Sequence, residues 1–246
     1  MERIMIYKKY FNVMVGSLKD FVSIELTGWR ASDIFWLTIA TSVILGLSVY
    51  WQDSWTSRLA ALSGVWCVVL TGMGKRSSFI FGLVNAILYA MVAFQARYYG
   101  EVMLNVLYFI PMNFVGWFVW KKHVNATTGE VVKKRLSFKT SLVVYAATAV
   151  AILSYGLVLK ALDGKLPYID SMTTVVSVIA QILSIKRLTE QWVLWIAVDV
   201  ATVFMWAVHF AQGGESIATL AMWSVYLINA FIMFMRWNKE ARNNEL

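Results

Sequence analysis

The sequence predicts an all-α integral membrane protein with about eight transmembrane helices. Of its 246 residues, 59% are hydrophobic and only 15% are charged, whereas a soluble domain is about 45–50% apolar and about 25% charged. Apolar runs close to the length that crosses roughly 30 Å of hydrocarbon occur eight times. In addition, 18 of the 22 lysines and arginines fall on the side of this predicted bundle that holds both termini. The positive-inside rule therefore predicts that both termini are cytoplasmic.

The predicted spans follow one another along most of the chain. They cover residues 33–50, 58–73, 78–95, 102–120, 140–161, 170–185, 192–211 and 217–235. Before them, residues 1–32 mix lysines and arginines with apolar side chains, which is typical of an amphipathic helix lying on a membrane surface. This segment lacks a small-residue cleavage site, so we do not interpret it as a removed signal peptide. Residues 237–246 are expected to form a cytoplasmic tail.

The net charge of +8 is explained by membrane topology. The basic residues lie before residue 33, at 75–76, within 121–139, at 186–187 and after 235, and only four lie on the opposite side. We therefore expect these basic residues to lie next to a lipid bilayer, and we do not expect the protein to bind nucleic acid. A single cysteine, Cys67, excludes a disulfide framework.

An internal repeat organises the spans. Residues 77–101 align without gaps with residues 191–215, and Asn85 then falls on Asp199. This alignment predicts two triple-helix repeats, 58–120 and 170–236, joined by a basic loop and linker helix within 121–161. Because four crossings separate the repeats, they enter the bilayer in the same sense, as in small transporters of the SWEET type. The helix at 33–50 is then an addition outside this 3+1+3 arrangement.

Asp199 is the only acidic residue near the middle of a predicted span. A carboxylate there costs about 2.5–3.5 kcal/mol on insertion scales, so it normally faces a cavity or a partner. Trp195 lies one turn before it and Trp206 two turns after it. Such a face suits a flat cationic ring, since tryptophan attracts cations and aspartate supplies the counter-charge. The alternative is a protonated aspartate bonded to a neighbouring helix, with both tryptophans serving as packing.

Further amides and aromatic side chains lie inside the predicted spans, in both repeats. These side chains can form hydrogen bonds between helices. Alternatively, they can converge to bind a polar ring compound, with no metal or cofactor taking part. We take the second interpretation as our hypothesis. The predicted substrate-binding residues are Asn85, Tyr89, Asn113, Trp117, Gln181, Trp195, Asp199, Tyr226 and Asn229.

Pro111 and Gly116 interrupt the fourth predicted span. A proline within a helix leaves one carbonyl without its usual partner and bends the chain. A glycine one turn later permits a hinge or a close helix contact. We predict a hinge or gate at these two residues, with a static kink as the alternative.

Enzymatic function is not expected. The chain contains no H-E-x-x-H, G-x-S-x-G or P-loop motif. Its two histidines, one in a loop and one near the end of a predicted span, do not form a pattern typical of a metal site. A proton-coupled transporter is the nearer alternative, since a membrane aspartate is a common relay group. We prefer uncoupled movement because no second carboxylate or histidine is well placed to pass a proton onward.

One stretch of the chain, residues 81–120, resembles the PnuC family of bacterial nicotinamide riboside transporters. Its landmarks stand at the spacing of that family: Tyr99-Gly100-Glu101, Leu104-Asn105, Pro111-Met112, and Gly116-Trp117 with Trp120. Asn113 stands where the family pattern has glutamine, which keeps the amide but shortens its reach.

The resemblance implies a 3+1+3 fold and a facilitator in the bacterial inner membrane that imports nicotinamide riboside for NAD biosynthesis. It also implies that a cytoplasmic nicotinamide riboside kinase traps the product by phosphorylation. The substrate is a cationic pyridinium with a carboxamide and a ribose, which suits aromatic faces, amides and one carboxylate. A homo-oligomer, with a trimer as the expected form, is a further implication.

Overall fold

The computed structural model describes residues 18–162, 167–213 and 217–243. This part of the chain contains eight helices that are long and apolar enough to cross a membrane. They are α1 Ala31–Tyr50, α2 Trp55–Met73, α3 Ser78–Gln95, α4 Tyr99–Lys121, α5 Phe138–Ala161, α6 Pro167–Ile185, α7 Gln191–Ala211 and α8 Ile217–Asn243. The prediction of an all-helical protein with eight spans is confirmed. Since the number of crossings is even, the described helices begin and end on one side, which we call the terminus side.

Local sequence signals set several helix ends. Ser54 precedes α2, and its side chain accepts a hydrogen bond from the backbone N–H of Ser57 at 3.2 Å. Ser137 does the same for the N–H of Thr140 at the start of α5. Each serine satisfies one of the free N–H groups of a first turn. At the other end of α2, Gly74 adopts φ 78°, the left-handed conformation in which glycine commonly ends a helix.

Helix α4 is not a uniform α-helix. Its α-helical ends, Tyr99–Met103 and Ile110–Lys121, flank a π-helical segment at Leu104–Phe109. Pro111 is the second residue after this segment and stands in the first turn of the second α-helical part, where a missing N–H is tolerated. The sequence predicted a disturbance at the proline, and the structure places the wider turns just before it.

Six helices close a ring around the centre of the protein. Within the first triple unit α2 packs on α3 and α3 on α4, and within the second α6 packs on α7 and α7 on α8. The units meet twice, through α4 with α6 and through α8 with α2. The first helix of each unit thus contacts the last helix of the other. Helices α1 and α5 lie outside the ring, and each packs on the first helix of the unit that follows it.

Side chains reach across both contacts between the units. Tyr108 in α4 donates a hydrogen bond to the carbonyl of Val178 in α6 at 2.7 Å. Trp237 in α8 donates to the carbonyl of Gly72 in α2 at 2.6 Å. Trp237 is also fully buried. This explains why α8 continues to Asn243, although the predicted span ended at 235 and the predicted tail began at 237.

The segment between α4 and α5 crosses the terminus side and touches both units. The N–H of Val131 donates to the carbonyl of Gly74, at the end of α2, at 3.0 Å. The N–H of Lys134 donates to the carbonyl of Arg187, after α6, at 2.9 Å, and its carbonyl accepts from Thr189 at 2.9 Å. These backbone hydrogen bonds connect the segment between α4 and α5 to the turn after α2 and to the turn after α6.

The described part of the N-terminal segment is helical from 18 to 26 and docks on the terminus side. Glu25 accepts hydrogen bonds from the N–H of Ser77 at 3.2 Å and from its hydroxyl at 2.5 Å. The Arg76 guanidinium lies over the rings of Phe21 and Trp117, at 4.6 and 4.0 Å from their centroids. Residues 18–26 are therefore held against α3 and α4 of the bundle. The predicted amphipathic stretch before residue 18 lies outside the described residues.

Lys75 lies at the junction of this docked segment, the α2–α3 turn and the long connecting segment. It is fully buried, and its ammonium donates to the carbonyl of Gly129 at 2.9 Å and to the carbonyl of Thr27. Burial lowers the pKa of Lys75 below its usual range, and the negative charge of Glu130 opposes that shift. The ammonium therefore links three chain segments from a site that water does not reach.

Replacing Lys75 with methionine should destabilise the protein. The change leaves two carbonyls without their donor, at about 1–3 kcal/mol for each unsatisfied group, while the apolar stem is retained. Thermal unfolding of the purified protein in detergent should shift downward by several degrees. Lys186→Met is the matched control, because Lys186 occupies the equivalent turn after α6 and is exposed. Equal unfolding temperatures for the two variants would contradict this role of Lys75.

Candidate functional site

A cavity lies between the two triple-helix units. Its empty volume, including the part open to solvent, is about 900 Å³. Helices α2, α3 and α4 line one wall, and α6, α7 and α8 line the other. The cavity therefore lies between helices α2–α4 and helices α6–α8.

Seven of the nine predicted binding residues line this cavity, although they come from five different helices. They are Asn85, Tyr89, Asn113, Gln181, Trp195, Asp199 and Tyr226. The structure thus brings together side chains that are up to 141 positions apart in the sequence.

Trp117 and Asn229 do not line the cavity. Trp117 lies beyond it on the terminus side. Its ring centroid is 5.3 Å from that of Phe21, and the Arg76 guanidinium lies over its ring. Asn229 is fully buried between helices; its side-chain nitrogen donates to the carbonyl of Val68 at 3.1 Å and its oxygen accepts from Trp36 at 3.2 Å. Both side chains hold neighbouring elements together, as the packing alternative described.

The predicted hinge residues also lie outside the cavity wall. Pro111 is exposed on the outer face of α4. Gly116 is buried against the ring of Phe79, and a Cβ at this position would come within 2.7 Å of the Phe79 Cδ1 atom. Glycine at 116 therefore permits the close contact of α3 with α4.

The cavity contains side chains that the predicted set omitted. The polar, sulfur-containing and aromatic ones are Cys67, Thr71, Phe79, Glu101, Asn105, Phe109, Ser184, Trp192 and Trp223. Asn105 and Phe109 share a spacing of four residues with Asn113, and this pattern could have identified them. Glu101 carried no such signal because it stands in the first turn of α4. Its presence in the cavity corrects the expectation that no second carboxylate accompanies Asp199.

The two carboxylates are available to a ligand. Asp199 is only 2% exposed, yet neither its side chain nor that of Glu101 forms a hydrogen bond or salt bridge with any residue in the described ranges. A buried carboxylate without a partner is costly in an apolar medium. A cationic or hydrogen-bond-donating ligand would reduce this cost.

The asparagine side chains in the cavity carry oxygens that can accept hydrogen bonds from a ligand. Asn105 and Asn113 each donate to the carbonyl four residues earlier in α4, in both cases at 2.8 Å. Asn85 donates to the carbonyl of Ala60 at 2.8 Å. Each amide thereby uses at least one of its N–H donors, whereas its oxygen accepts no hydrogen bond from the described residues, so these amides offer free acceptors. With the two carboxylates, they make the cavity rich in hydrogen-bond acceptors.

Aromatic rings supply flat walls. Trp195 lies near Phe109, with ring centroids 6.3 Å apart and an interplanar angle of 33°. Trp192 and Trp223 also line the cavity, and their indole N–H groups are buried without a partner among the described residues. Rings of this kind attract cations through their faces, and the two N–H groups could donate to a polar ligand.

Aromatic side chains pack against one another on either side of the cavity. On the terminus side, the ring centroids of Phe79 and the fully buried Trp120 are 4.9 Å apart. Those of Trp192 and Trp237 are 5.6 Å apart. These rings belong to one buried apolar cluster. Two of them, Phe79 and Trp192, also line the cavity, so this cluster lies at its terminus-side end.

On the opposite side, Trp206 joins the two units. Its indole N–H donates to the hydroxyl of Tyr89 at 3.0 Å, and its ring contacts Tyr98 at 5.3 Å and His209 at 5.2 Å. The sequence placed Trp206 on the same face as Trp195 and Asp199. In the structure it lies beyond the cavity and orients Tyr89, which does line it.

Comparisons with known proteins identify the family. The family model described as "Nicotinamide mononucleotide transporter" matches residues 54–239. A Neisseria mucosa protein named "Nicotinamide riboside transporter PnuC" is 40% identical over 217 residues, which cover 86% of this chain and 82% of the relative. The chain belongs to the PnuC family of transporters. The resemblance noted in the sequence is thereby confirmed.

Other PnuC proteins give the same result. The PnuC relative from Haemophilus influenzae, which bears the same name, is 34% identical over 223 residues, covering 90% of this chain and 94% of that protein. A solved structure, "Crystal structure of the Vitamin B3 transporter PnuC", superposes with a TM-score of 0.82 at 38% sequence identity. It covers 91% of this chain and 97% of the solved chain. The chain is therefore a multi-pass membrane transporter with the PnuC fold.

Proposed function

We propose that the protein imports nicotinamide riboside across the bacterial inner membrane by facilitated diffusion. One observation carries this proposal. The cavity contains two carboxylates, and the described residues that line it include no lysine, arginine or histidine. A cavity with this charge favours a cationic substrate, and the pyridinium ring of nicotinamide riboside is a cation.

The charge also separates the riboside from its phosphorylated form. The family description refers to the mononucleotide, whereas the relatives are named for the riboside. The two compounds differ by a phosphate, which proteins normally hold with arginine, lysine or a helix N-terminus. Acceptor groups next to Asp199 and Glu101 would instead repel it. The riboside is therefore the substrate that fits this cavity.

Each part of the substrate has a complementary group. Trp195 and Phe109 offer faces for the pyridinium ring, and Asp199 offers the counter-charge. The carboxamide N–H groups and the ribose hydroxyls donate hydrogen bonds, and the oxygens of Asn85 and Asn113 accept them. Gln181 and Tyr226, from the second unit, would complete the site.

Transport requires the cavity to open to each side of the membrane in turn. We assign the hinge to the part of α4 that contains Pro111 and the π-helical segment Leu104–Phe109. Single π-helical turns are frequent at functional sites, and Asn105 and Phe109 in this segment line the cavity. Rotation here would move the wall of the site together with the contact of Gly116 with Phe79.

Accumulation would come from chemistry after transport. A cytoplasmic nicotinamide riboside kinase would add the phosphate that the cavity disfavours, so the product could not return. The excess of basic residues on the terminus side supports cytoplasmic termini. A homo-oligomer, expected to be a trimer, stays a prediction that the mass of the purified protein in detergent would test.

Uptake by the purified protein in liposomes tests facilitated diffusion. Radiolabelled nicotinamide riboside should enter until the inner and outer concentrations are equal, and an ionophore that collapses the proton gradient should leave the rate unchanged. Empty liposomes are the control. Uptake that requires a proton gradient would contradict the proposal.

One observation favours a second candidate, a proton-coupled transporter. Glu101 and Asp199 share the cavity, and paired carboxylates are common in proton relays. In that case Glu101→Gln would abolish gradient-driven accumulation while equilibrium exchange of substrate continued. Under facilitated diffusion, neither the wild type nor this variant accumulates free substrate above its outside concentration.

Replacing Asn113 with alanine should weaken the binding of nicotinamide riboside by about two- to tenfold, the usual value of one neutral hydrogen bond. Calorimetric titration of the purified variant would measure this. Asn243→Ala is the matched control, since Asn243 is exposed at the end of α8. Identical affinities for the two variants would remove Asn113 from the site.

A further inference from the structure

A second pocket lies on the terminus side, outside the ring of helices. The residues before and at the start of α5, the start of α7 and the end of α8 form it. Its wall combines acidic, basic, amide and aromatic side chains, including Glu190, Arg242, Asn238, Tyr145 and Phe234. None of these residues belongs to the transport cavity.

Glu190 has an unused acceptor in this pocket. The residue is 8% exposed. Its Oε1 atom accepts from the N–H of Leu136 at 2.9 Å and from the hydroxyl of Ser141 at 3.3 Å. Its Oε2 atom is buried and has no hydrogen-bond partner among the described residues. Since an unsatisfied buried carboxylate oxygen is costly, a donor from outside the chain would stabilise it.

Positively charged and aromatic side chains line the same pocket as Glu190. Arg242 lies in the wall and is exposed at the end of α8. Arg135 lies in the wall as well. Phe138, at the start of α5, also lines the pocket and is 84% exposed. The pocket thus offers an anion site, a cation site and an apolar edge, at the level where α5 enters its apolar span.

We propose that this pocket binds the headgroup of phosphatidylethanolamine from the adjacent membrane leaflet. The ammonium of the headgroup donates to Glu190 Oε2, and the phosphate is held by Arg242. The acyl chains leave past Phe138 along α5, whose outer face is apolar and exposed at Leu142. Phosphatidylcholine has no N–H group for Glu190, and phosphatidylglycerol has no cation.

Native mass spectrometry of the purified full chain, titrated with each of these three lipids, tests the assignment. Phosphatidylethanolamine should bind at least about tenfold more tightly than phosphatidylcholine or phosphatidylglycerol, and Glu190→Gln should remove this preference. Asp20→Asn is the matched control, because Asp20 is exposed in the N-terminal helix. Arg242→Gln, a change at an exposed position that cannot prevent folding, should weaken the binding of phosphatidylethanolamine and phosphatidylglycerol alike.

Equal binding of all three lipids, or an unchanged preference in Glu190→Gln, would overturn the proposal. Free glycerophosphoethanolamine separates a lipid from a soluble ligand. It should fail to displace the bound lipid at equal concentration, because it lacks the acyl chains. Displacement at equal concentration would overturn the lipid assignment. Unchanged substrate affinity in Glu190→Gln is expected, since the pocket is separate from the transport cavity.

Discussion

Replacement of Asp199 with asparagine is expected to weaken the binding of nicotinamide riboside by about 10- to 100-fold. The amide keeps the shape of the side chain but removes the counter-charge of the pyridinium, and a hydrogen bond to a charged group contributes about 1.5–3 kcal/mol. Asp199 is 2% exposed and has no other partner in the described structure. Asp199→Ala should lose at least as much.

Calorimetric titration of purified protein in detergent would measure this loss. Folding is expected to survive both changes, because removal of an unpaired buried charge lowers a desolvation cost rather than breaking an ion pair. The unfolding temperature should therefore stay equal or rise. Asp20→Asn, on the exposed part of the N-terminal helix, should bind like the wild type. Wild-type affinity in Asp199→Asn would exclude Asp199 from the site.

Nicotinamide mononucleotide is expected to bind at least about 100-fold more weakly than the riboside. Two like unit charges 4 Å apart repel by ~4 kcal/mol at an effective dielectric constant of 20, and 1.4 kcal/mol corresponds to a factor of ten. The added phosphate would face Glu101 and Asp199 without a compensating cation among the described lining residues. The extra charge should therefore outweigh any new hydrogen bonds.

Titrating both compounds against the wild type and Glu101→Gln would test this argument. The variant should narrow the difference in affinity between the riboside and the mononucleotide, since one repelling charge is gone. The control is Glu240→Gln, outside the cavity at the end of α8, where Glu240 forms ion pairs with Lys133 and Arg236. This change should leave the affinity ratio unaltered. Tighter binding of the mononucleotide by the wild type would contradict the proposed selectivity.

The sequence was sufficient to predict the number of spans and their order. Apolar runs are long in each of the eight helices, and charged loops separate them, so the pattern is visible in one dimension. The end of α8 was missed because Trp237 is buried by α2 and not by its own sequence neighbours. The π-helical segment in α4 was missed because no residue type marks it, although Pro111 signalled a disturbance nearby.

The candidate site was partly predictable for a related reason. Asp199 stood out because a carboxylate is rare at the centre of a span, and Asn85 because it aligns with Asp199. Trp117 follows Asn113 by four residues, but this carries it about 6 Å further along the helix. That distance places it outside the cavity, against Phe21 and Arg76. Glu101 was missed because sequence position does not reveal how far a cavity extends toward a helix end.

The position of bound nicotinamide riboside tests the central claim most directly. A structure of the protein determined with the substrate should place the pyridinium ring against Trp195 and within reach of the Asp199 carboxylate. The substrate should contact both triple-helix units. Substrate found on the outer face of the helices, or in contact with one unit alone, would contradict the account.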